Sequence, residues 1–248
     1  MSFTTSLQPD ANVAVIGASG GIGRTFVELL ARDSGVRQVH AMSREPGEWE
    51  QSNIAAHRLD FSDEQSIEDA AAAATSEVPL DLVIVATGIL HRGDQIKPEK
   101  AMREINAASL AEVLAVNSIG PSLVAKHFLP KLRRDHKAIF AALSARVGSI
   151  GDNRLGGWTA YRMSKAALNM MLRTMAIEQA RSAPQSVVVA LHPGTVDTGL
   201  SKPFTGRVPE AKLFTPDKSA TSLLGVLDGL SPEQSGGFFA YDGTAIDF

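Results

Sequence analysis

Apolar residues in this 248-residue chain fall into short continuous runs, separated by stretches with helical spacing. Residues 12–16 (Asn-Val-Ala-Val-Ile) form the first run and end in glycines, which predicts a strand buried on both faces. Residues 24–31 follow with Phe26, Leu29 and Leu30 on one side of a helix. Strands are predicted at 36–42, 80–86, 138–143, 186–191 and 238–240. Helices are predicted at 64–74, where an alanine run favours helix intrinsically, and at 98–103, 107–132, 161–181 and 219–227. Strands alternating with helices imply βαβ units, a parallel sheet and helices on both faces. No Pro/Gly/Ser linker divides the chain and no repeat is visible, so one domain is expected over 1–248.

Composition narrows this little. Hydrophobic residues make up 44% and charged residues 21%, ordinary for a globular protein. A net charge of −3 gives no reason to expect nucleic acid or an anionic membrane as partner. The basic run 131–137 reads as a solvated helix end before a strand. Without cysteine there is neither a disulfide nor a thiolate metal site, which fits a cytoplasmic location. The start of the chain lacks a basic segment followed by an apolar core, and no apolar run approaches the roughly 20 residues of a membrane helix. The histidines form neither HExxH nor a paired cluster, so no metal is expected.

Two local patterns carry chemistry. The loop after the first strand reads Gly17-Ala18-Ser19-Gly20-Gly21-Ile22-Gly23 and opens a helix. A strand–glycine loop–helix unit presents unpaired amides to a nucleotide's phosphates. Gly17 would permit the tight turn, Gly21 close approach of the cofactor, and Gly23 packing of helix on strand. The second pattern is Tyr161-Arg162-Met163-Ser164-Lys165. A spacing of four places Tyr161 and Lys165 on one helix face, and an ammonium beside a phenol favours the phenolate.

The spacing Gly17-xxx-Gly21-x-Gly23 with Tyr161-xxx-Lys165 resembles the short-chain dehydrogenase/reductase family, in its short single-domain branch. Val147-Gly148-Ser149-Ile150, the Gly156-Gly157-Trp158 before Tyr161, and the ending 235–244 are similar to its C-factor and sniffer-like carbonyl reductase subgroup. The resemblance covers roughly 10–245 and implies a Rossmann-like, doubly wound parallel sheet. Ile16 departs from it, since the family usually has Thr before the first glycine.

The resemblance also implies roles. Tyr161 would protonate a substrate carbonyl while hydride arrives from nicotinamide, and Lys165 would lower the phenol pKa and bind the ribose. Asn117 would hold a local helix kink in the proton relay. Ser144 would polarise the carbonyl, although the family's register puts the serine at Ala145; Ser149 is the alternative. Gly17, Ser19, Gly21, Ile22, Gly23, Asp60, Gly88, Pro193, Gly194, Val196 and Thr198 would line the cofactor, together with Tyr161 and Lys165. Ala86-Thr87 stands where the family often has Asn-Ala. NAD-preferring members carry an acid at the position of Ser43; here Arg44 follows, and a guanidinium suits the 2′-phosphate of NADP. The expectation is an NADP(H)-dependent reductase of a mostly apolar small-molecule carbonyl. A segment at 199–215 (Leu200, Pro203, Phe204, Val208, Pro209, Leu213) would serve as a mobile lid over it. A homodimer or homotetramer is expected, using the stripe Met163, Ala167, Met170 and Met171. The alternative is an NADP-binding signalling or regulatory protein with little turnover; an epimerase is disfavoured by the glycine spacing.

Overall fold

The computed structural model describes residues 2–207, 209 and 212–248; Val208 of the proposed lid lies outside them. The central strand β1 (Ala11–Ile16) is buried throughout, as its continuous apolar run predicts. Helix α1 (Gly21–Ala31) leads to β2 (Val36–Ser43), then β3 (Ile54–Arg58), helix α2 (Glu64–Ala74) and β4 (Leu82–Val85). Helices α3 (Ala107–Leu114) and α4 (Gly120–Phe128) precede β5 (Ala138–Leu143), α5 (Thr159–Gln179) and β6 (Ser186–His192). The short strands β7 (Thr195–Val196) and β8 (Leu213–Phe214) form a separate pair, and α6 (Pro216–Gly229) and β9 (Phe238–Ala240) end the fold.

Seven strands pair in the order β3-β2-β1-β4-β5-β6-β9, all parallel. Alternation along β1 sends Ala14 and Ile16 to one face and Val13 and Val15 to the other. The first face packs on α2, α4 and α5 through Phe128, Phe140 and Leu168; the second packs on α1 and α6 through Phe26, Leu30 and Leu223. The predicted doubly wound sheet is therefore present. Strand order reverses between β1 and β4, and the crevice at such a switch point is where ligands of open α/β sheets bind.

Several elements differ from the sequence prediction. Strand β3 was not predicted: it is an edge strand, partly exposed, with no apolar alternation in Ile-Ala-Ala-His-Arg. Residues 98–103 are not a helix. Only a single 3₁₀ turn, Met102–Glu104, forms there, and Glu99 instead spends its backbone on the start of α5. The predicted helix 107–132 is interrupted by a π-helical turn, Ala115–Ile119, centred on Asn117. By length and composition the stretch Ala107–Lys131 could cross a membrane, contrary to the sequence expectation. Here it packs on the sheet through Val124, Ala125 and Phe128.

The basic run at 131–137 is less solvated than expected. Arg133 pairs with the fully buried Asp81, whose other oxygen accepts the Asn12 amide at 2.9 Å. Lys137 Nζ donates to the carbonyls of Leu227 and Asp228, capping the end of α6. His40 and His57 also meet across β2 and β3, with Nδ1 of the first 2.9 Å from Nε2 of the second.

Candidate active site

A cleft of about 700 Å³ opens where β1, β4, β5 and β6 end, between the glycine loop and the start of α5. The glycine loop forms one end. Gly17 takes φ +90°, a left-handed conformation that carries no penalty for glycine. A Cβ on Gly23 would lie 2.1 Å from the Gly17 carbonyl oxygen, so only glycine allows α1 to start against the loop. A Cβ on Gly21 would sit 2.9 Å from Thr198 Cγ2, and a Cβ on Gly17 2.9 Å from Thr87 Cγ2. The cap residue of α1 is Gly20, which offers no side chain to the first amides. The first intrahelical bond runs from the Arg24 amide to the Gly20 carbonyl, so the N–H groups of Gly21, Ile22 and Gly23 have no acceptor within α1 and are the donors a helix start offers to an anion. Gly20, Gly21 and Ile22 line the cleft, whereas Ser19 is exposed on the crest of the loop.

The far end is built by α5 and the end of β5. Tyr161 and Lys165 are buried and both line the cleft. Lys165 Nζ donates to the Leu143 carbonyl at 2.8 Å and lies 5.9 Å from the centre of the Tyr161 ring. Burial pulls the Lys165 ammonium down to about 7 and pushes the Tyr161 phenol up. The direction for the phenol is opposite to the expected lowering by lysine, and its cause is burial alone. The phenol holds its proton at neutral pH.

Asn117 sits behind this wall, fully buried. Its Oδ1 accepts the Ile89 amide at 2.7 Å, and its Nδ2 donates to the Ile89 carbonyl at 2.8 Å and to Ser164 Oγ at 3.0 Å. It ties the loop after Gly88, which lines the cleft, to helix α5. Ser144 lines the cleft floor, but its hydroxyl donates to Asn169 Oδ1 at 2.7 Å. Asn169 Nδ2 is buried and unpartnered. With that amide turned over, Nδ2 would donate to Ser144 Oγ and leave the hydroxyl proton free to point into the cleft. Ala145 lines the cleft beside it, whereas Ser149 Oγ accepts the Asp152 amide at 3.1 Å and is not part of the lining.

The third wall is the turn after β6. Pro193, Gly194, Val196 and Thr198 all line the cleft, and Gly194 takes φ +78°. Ser219 Oγ fixes the turn by donating to the Pro193 carbonyl at 2.8 Å. The pair of β7 and β8 ties down both ends of the expected lid, from which Leu200 and Phe204 reach the cleft.

Ser43, Arg44 and Asp60 lie outside the cleft lining, at the ends of β2 and β3. The Ser43 hydroxyl donates to the Glu45 carbonyl at 2.6 Å. Arg44 is exposed. Asp60 is held below the usual carboxylate range, first by the Ser62 amide and hydroxyl, with the Arg58 and Arg44 charges adding to this. His192 and Trp158 are among the lining residues that escaped the sequence reading. His192 is kept neutral, its pKa pulled down to about 4 by burial, with the Arg146 charge adding to this. Trp158 lines the cleft beside Tyr161. Only the His-Pro-Gly and Gly-Gly-Trp strings hinted at either.

A nucleotide-binding switch point carrying a Tyr–Lys pair defines a dinucleotide-dependent oxidoreductase class. A family model described as short chain dehydrogenase matches residues 11–207, and the chain belongs to that family of nicotinamide-dependent oxidoreductases. An uncharacterized oxidoreductase of Schizosaccharomyces pombe is 31% identical over 253 residues, covering 94% of this chain and 96% of the relative. The C-signal of Myxococcus xanthus is 41% identical over 147 residues, 59% of this chain and 82% of the relative. The NADPH-bound carbonyl reductase from chicken fatty liver superposes with a TM-score of 0.82 at 28% identity, covering 98% of this chain and 97% of that one. The cleft fits a dinucleotide on this chain's own evidence. The glycine cradle leaves no space for a Cβ at Gly23, the amides of α1 are uncapped, and the buried Thr87 Oγ1 in the cleft lining has no partner.

Proposed function

We propose that this protein is an NADPH-preferring reductase of small carbonyl compounds. The observation that carries this reading is the placement of Tyr161 and Lys165 at one end of a single cleft whose other end is the amide cradle of α1. When bound, the dinucleotide supplies hydride to the carbonyl carbon. Gly21, Ile22 and Gly23 would hold its pyrophosphate with their amides, and Lys165 Nζ its nicotinamide ribose. Arg44, exposed and without a carboxylate at Ser43, would bind a 2′-phosphate as a planar fork. The NADPH bound to the chicken carbonyl reductase agrees with this preference.

Tyr161 Oη is the proton donor. Its burial keeps the proton on the phenol until negative charge builds on the carbonyl oxygen, which is the state a general acid requires. Lys165, near neutrality in its proton affinity, is poised to replace that proton. Ser144 would orient the carbonyl oxygen with its hydroxyl proton once the Asn169 amide is turned over, so that Nδ2 donates to Ser144 Oγ. Asn117 positions the loop at Gly88 and Ile89 against α5. Exposed Ile119, Met163, Met170 and Ile177 on α3–α4 and α5 support a homodimer or homotetramer through these helices, while Met171 packs inward.

Oxidation of NADPH followed at 340 nm against quinones, diketones and aldehydes tests the reading. Turnover that disappears in Tyr161→Phe supports it. Binding of NADPH without turnover on any carbonyl overturns it in favour of a second reading, a dinucleotide-binding signalling protein. Two observations support that second reading: the Ser144 hydroxyl is turned toward Asn169, and the chain is similar to the Myxococcus C-signal.

A further inference from the structure

Three successive residues before α5 are left-handed: Gly156 (φ 63°), Gly157 (φ 67°) and Trp158 (φ 53°). Glycine adopts this conformation freely, but a tryptophan does so only where its surroundings impose it. Here they impose it from two sides. The Trp158 amide donates to the Glu99 carbonyl at 2.6 Å, and Glu99 Oε2 accepts the Ala160 amide at 3.2 Å. Arg162 closes the other side: its guanidinium donates to the carbonyls of Gly157 (2.9 Å), Gly156 (3.2 Å) and Val147 (3.2 Å). Glu99 is buried, so a polar side chain is committed to this one turn.

The turn fixes where the Trp158 indole sits. The Trp158 ring meets Tyr161 edge-to-face at 6.4 Å and Phe204 at 5.2 Å. Phe204 in turn meets His91 at 5.7 Å, and the His91 ring lies 3.0 Å from the Gly199 carbonyl oxygen. The half-buried Trp158 thus forms one wall of the cleft directly beside the proton donor, backed by an aromatic ring from the segment between β7 and β8. Among the described residues no carboxylate lines the cleft, while Arg146 and Lys165 do. That disfavours an amine-bearing substrate.

We propose that Trp158 is a substrate-recognising residue and that the substrate is a planar aromatic or conjugated carbonyl laid against its indole face. This rests on the carbonyl-reductase reading above and names its substrate class. In the step itself the C=O π bond breaks, hydride from NADPH forms the new C–H bond, and the Tyr161 proton forms the O–H bond. Glu99 and Arg162 are positioning residues that act through the turn.

The test compares 1-phenylpropane-1,2-dione with butane-2,3-dione, which share a reactive dione and differ in the aryl group. Trp158→Leu should lower the ratio of their kcat/KM values about tenfold, mainly through KM for the aryl dione, and Trp158→Phe should restore most of it. A ratio unchanged in a folded Trp158→Leu protein overturns the proposal. A binding readout separates this from failure of the reductase reading. The chain has two tryptophans, so in a Trp49→Phe background the emission reports Trp158. Saturable quenching by the aryl dione but not by butanedione supports the recognition site even where neither dione turns over, an outcome that would sink only the reductase reading. Equal, unsaturable quenching by both diones overturns the site.

Discussion

Replacing Lys165 with methionine should make the protein more stable and inactive, and the gain should disappear in alkali. The ammonium is buried and has one hydrogen bond, to the Leu143 carbonyl. Burial moves it from its ordinary 10.5 to about 7. At 1.36 kcal/mol per pH unit this is a cost of about 5 kcal/mol for keeping the charged form in the fold. The sign follows from proton counts. Between pH 7 and 10.5 the unfolded chain holds a proton on this lysine that the folded chain has released, so its contribution rises with pH across that window. Below pH 7 the full cost applies.

Methionine has similar length and no charge. It relieves that cost but strands the Leu143 carbonyl, a buried acceptor worth about 1–3 kcal/mol. The variant should therefore be more stable by about 2–4 kcal/mol at pH 6.5 and no more stable than wild type at pH 10.5. Urea titrations followed by circular dichroism at the two pH values, with no nucleotide added, measure this. A variant that is less stable at pH 6.5, or whose offset is the same at both, would refute the claim that Lys165 is held in the fold against its own solvation.

Other predictions rest on separate features. Gly23→Ala drives a methyl into the Gly17 carbonyl, so it should abolish saturable enhancement of NADPH fluorescence and lower Tm. Arg44→Glu should weaken NADPH binding about tenfold or more while leaving NADH little affected, as read by titration of both nucleotides. His40 is pulled down to about 4 by burial first and by the neighbouring His57 charge next. Its neutral form is the one that folds, so stability should fall as pH drops from 6.5 toward 4. For a shift of that size the loss is about 3 kcal/mol. In His40→Gln, which can keep a bond to Asn12, the acid loss should be visibly smaller.

Much of the fold was legible because its strands are buried on both faces and their apolar runs are continuous, as in β1 and β5. Strand β3 was missed for the opposite reason: at the sheet edge it needs no apolar pattern. The 98–103 stretch has helical composition, but tertiary demand on Glu99 overrides it. In the site, the glycine loop and the Tyr–Lys pair each leave a local spacing that can be read along the chain. The surroundings do not. That the Ser144 hydroxyl turns to Asn169, that Asn117 grips Ile89, and that Trp158 takes a left-handed turn against Tyr161 are facts of residues brought together from distant parts of the chain. The direction of the Tyr161 pKa shift escaped for the same reason, since burial cannot be read from a four-residue spacing.

The most direct measurement follows the transferred atom. NADPH carrying deuterium at both positions of nicotinamide C4, incubated with the protein and an aryl dione, should yield an alcohol labelled at its carbinol carbon, with Tyr161→Phe slowing its formation at least a hundredfold. Unlabelled alcohol, or bound nucleotide with no alcohol in a folded protein, would contradict the assignment of Tyr161 and Lys165 to carbonyl reduction.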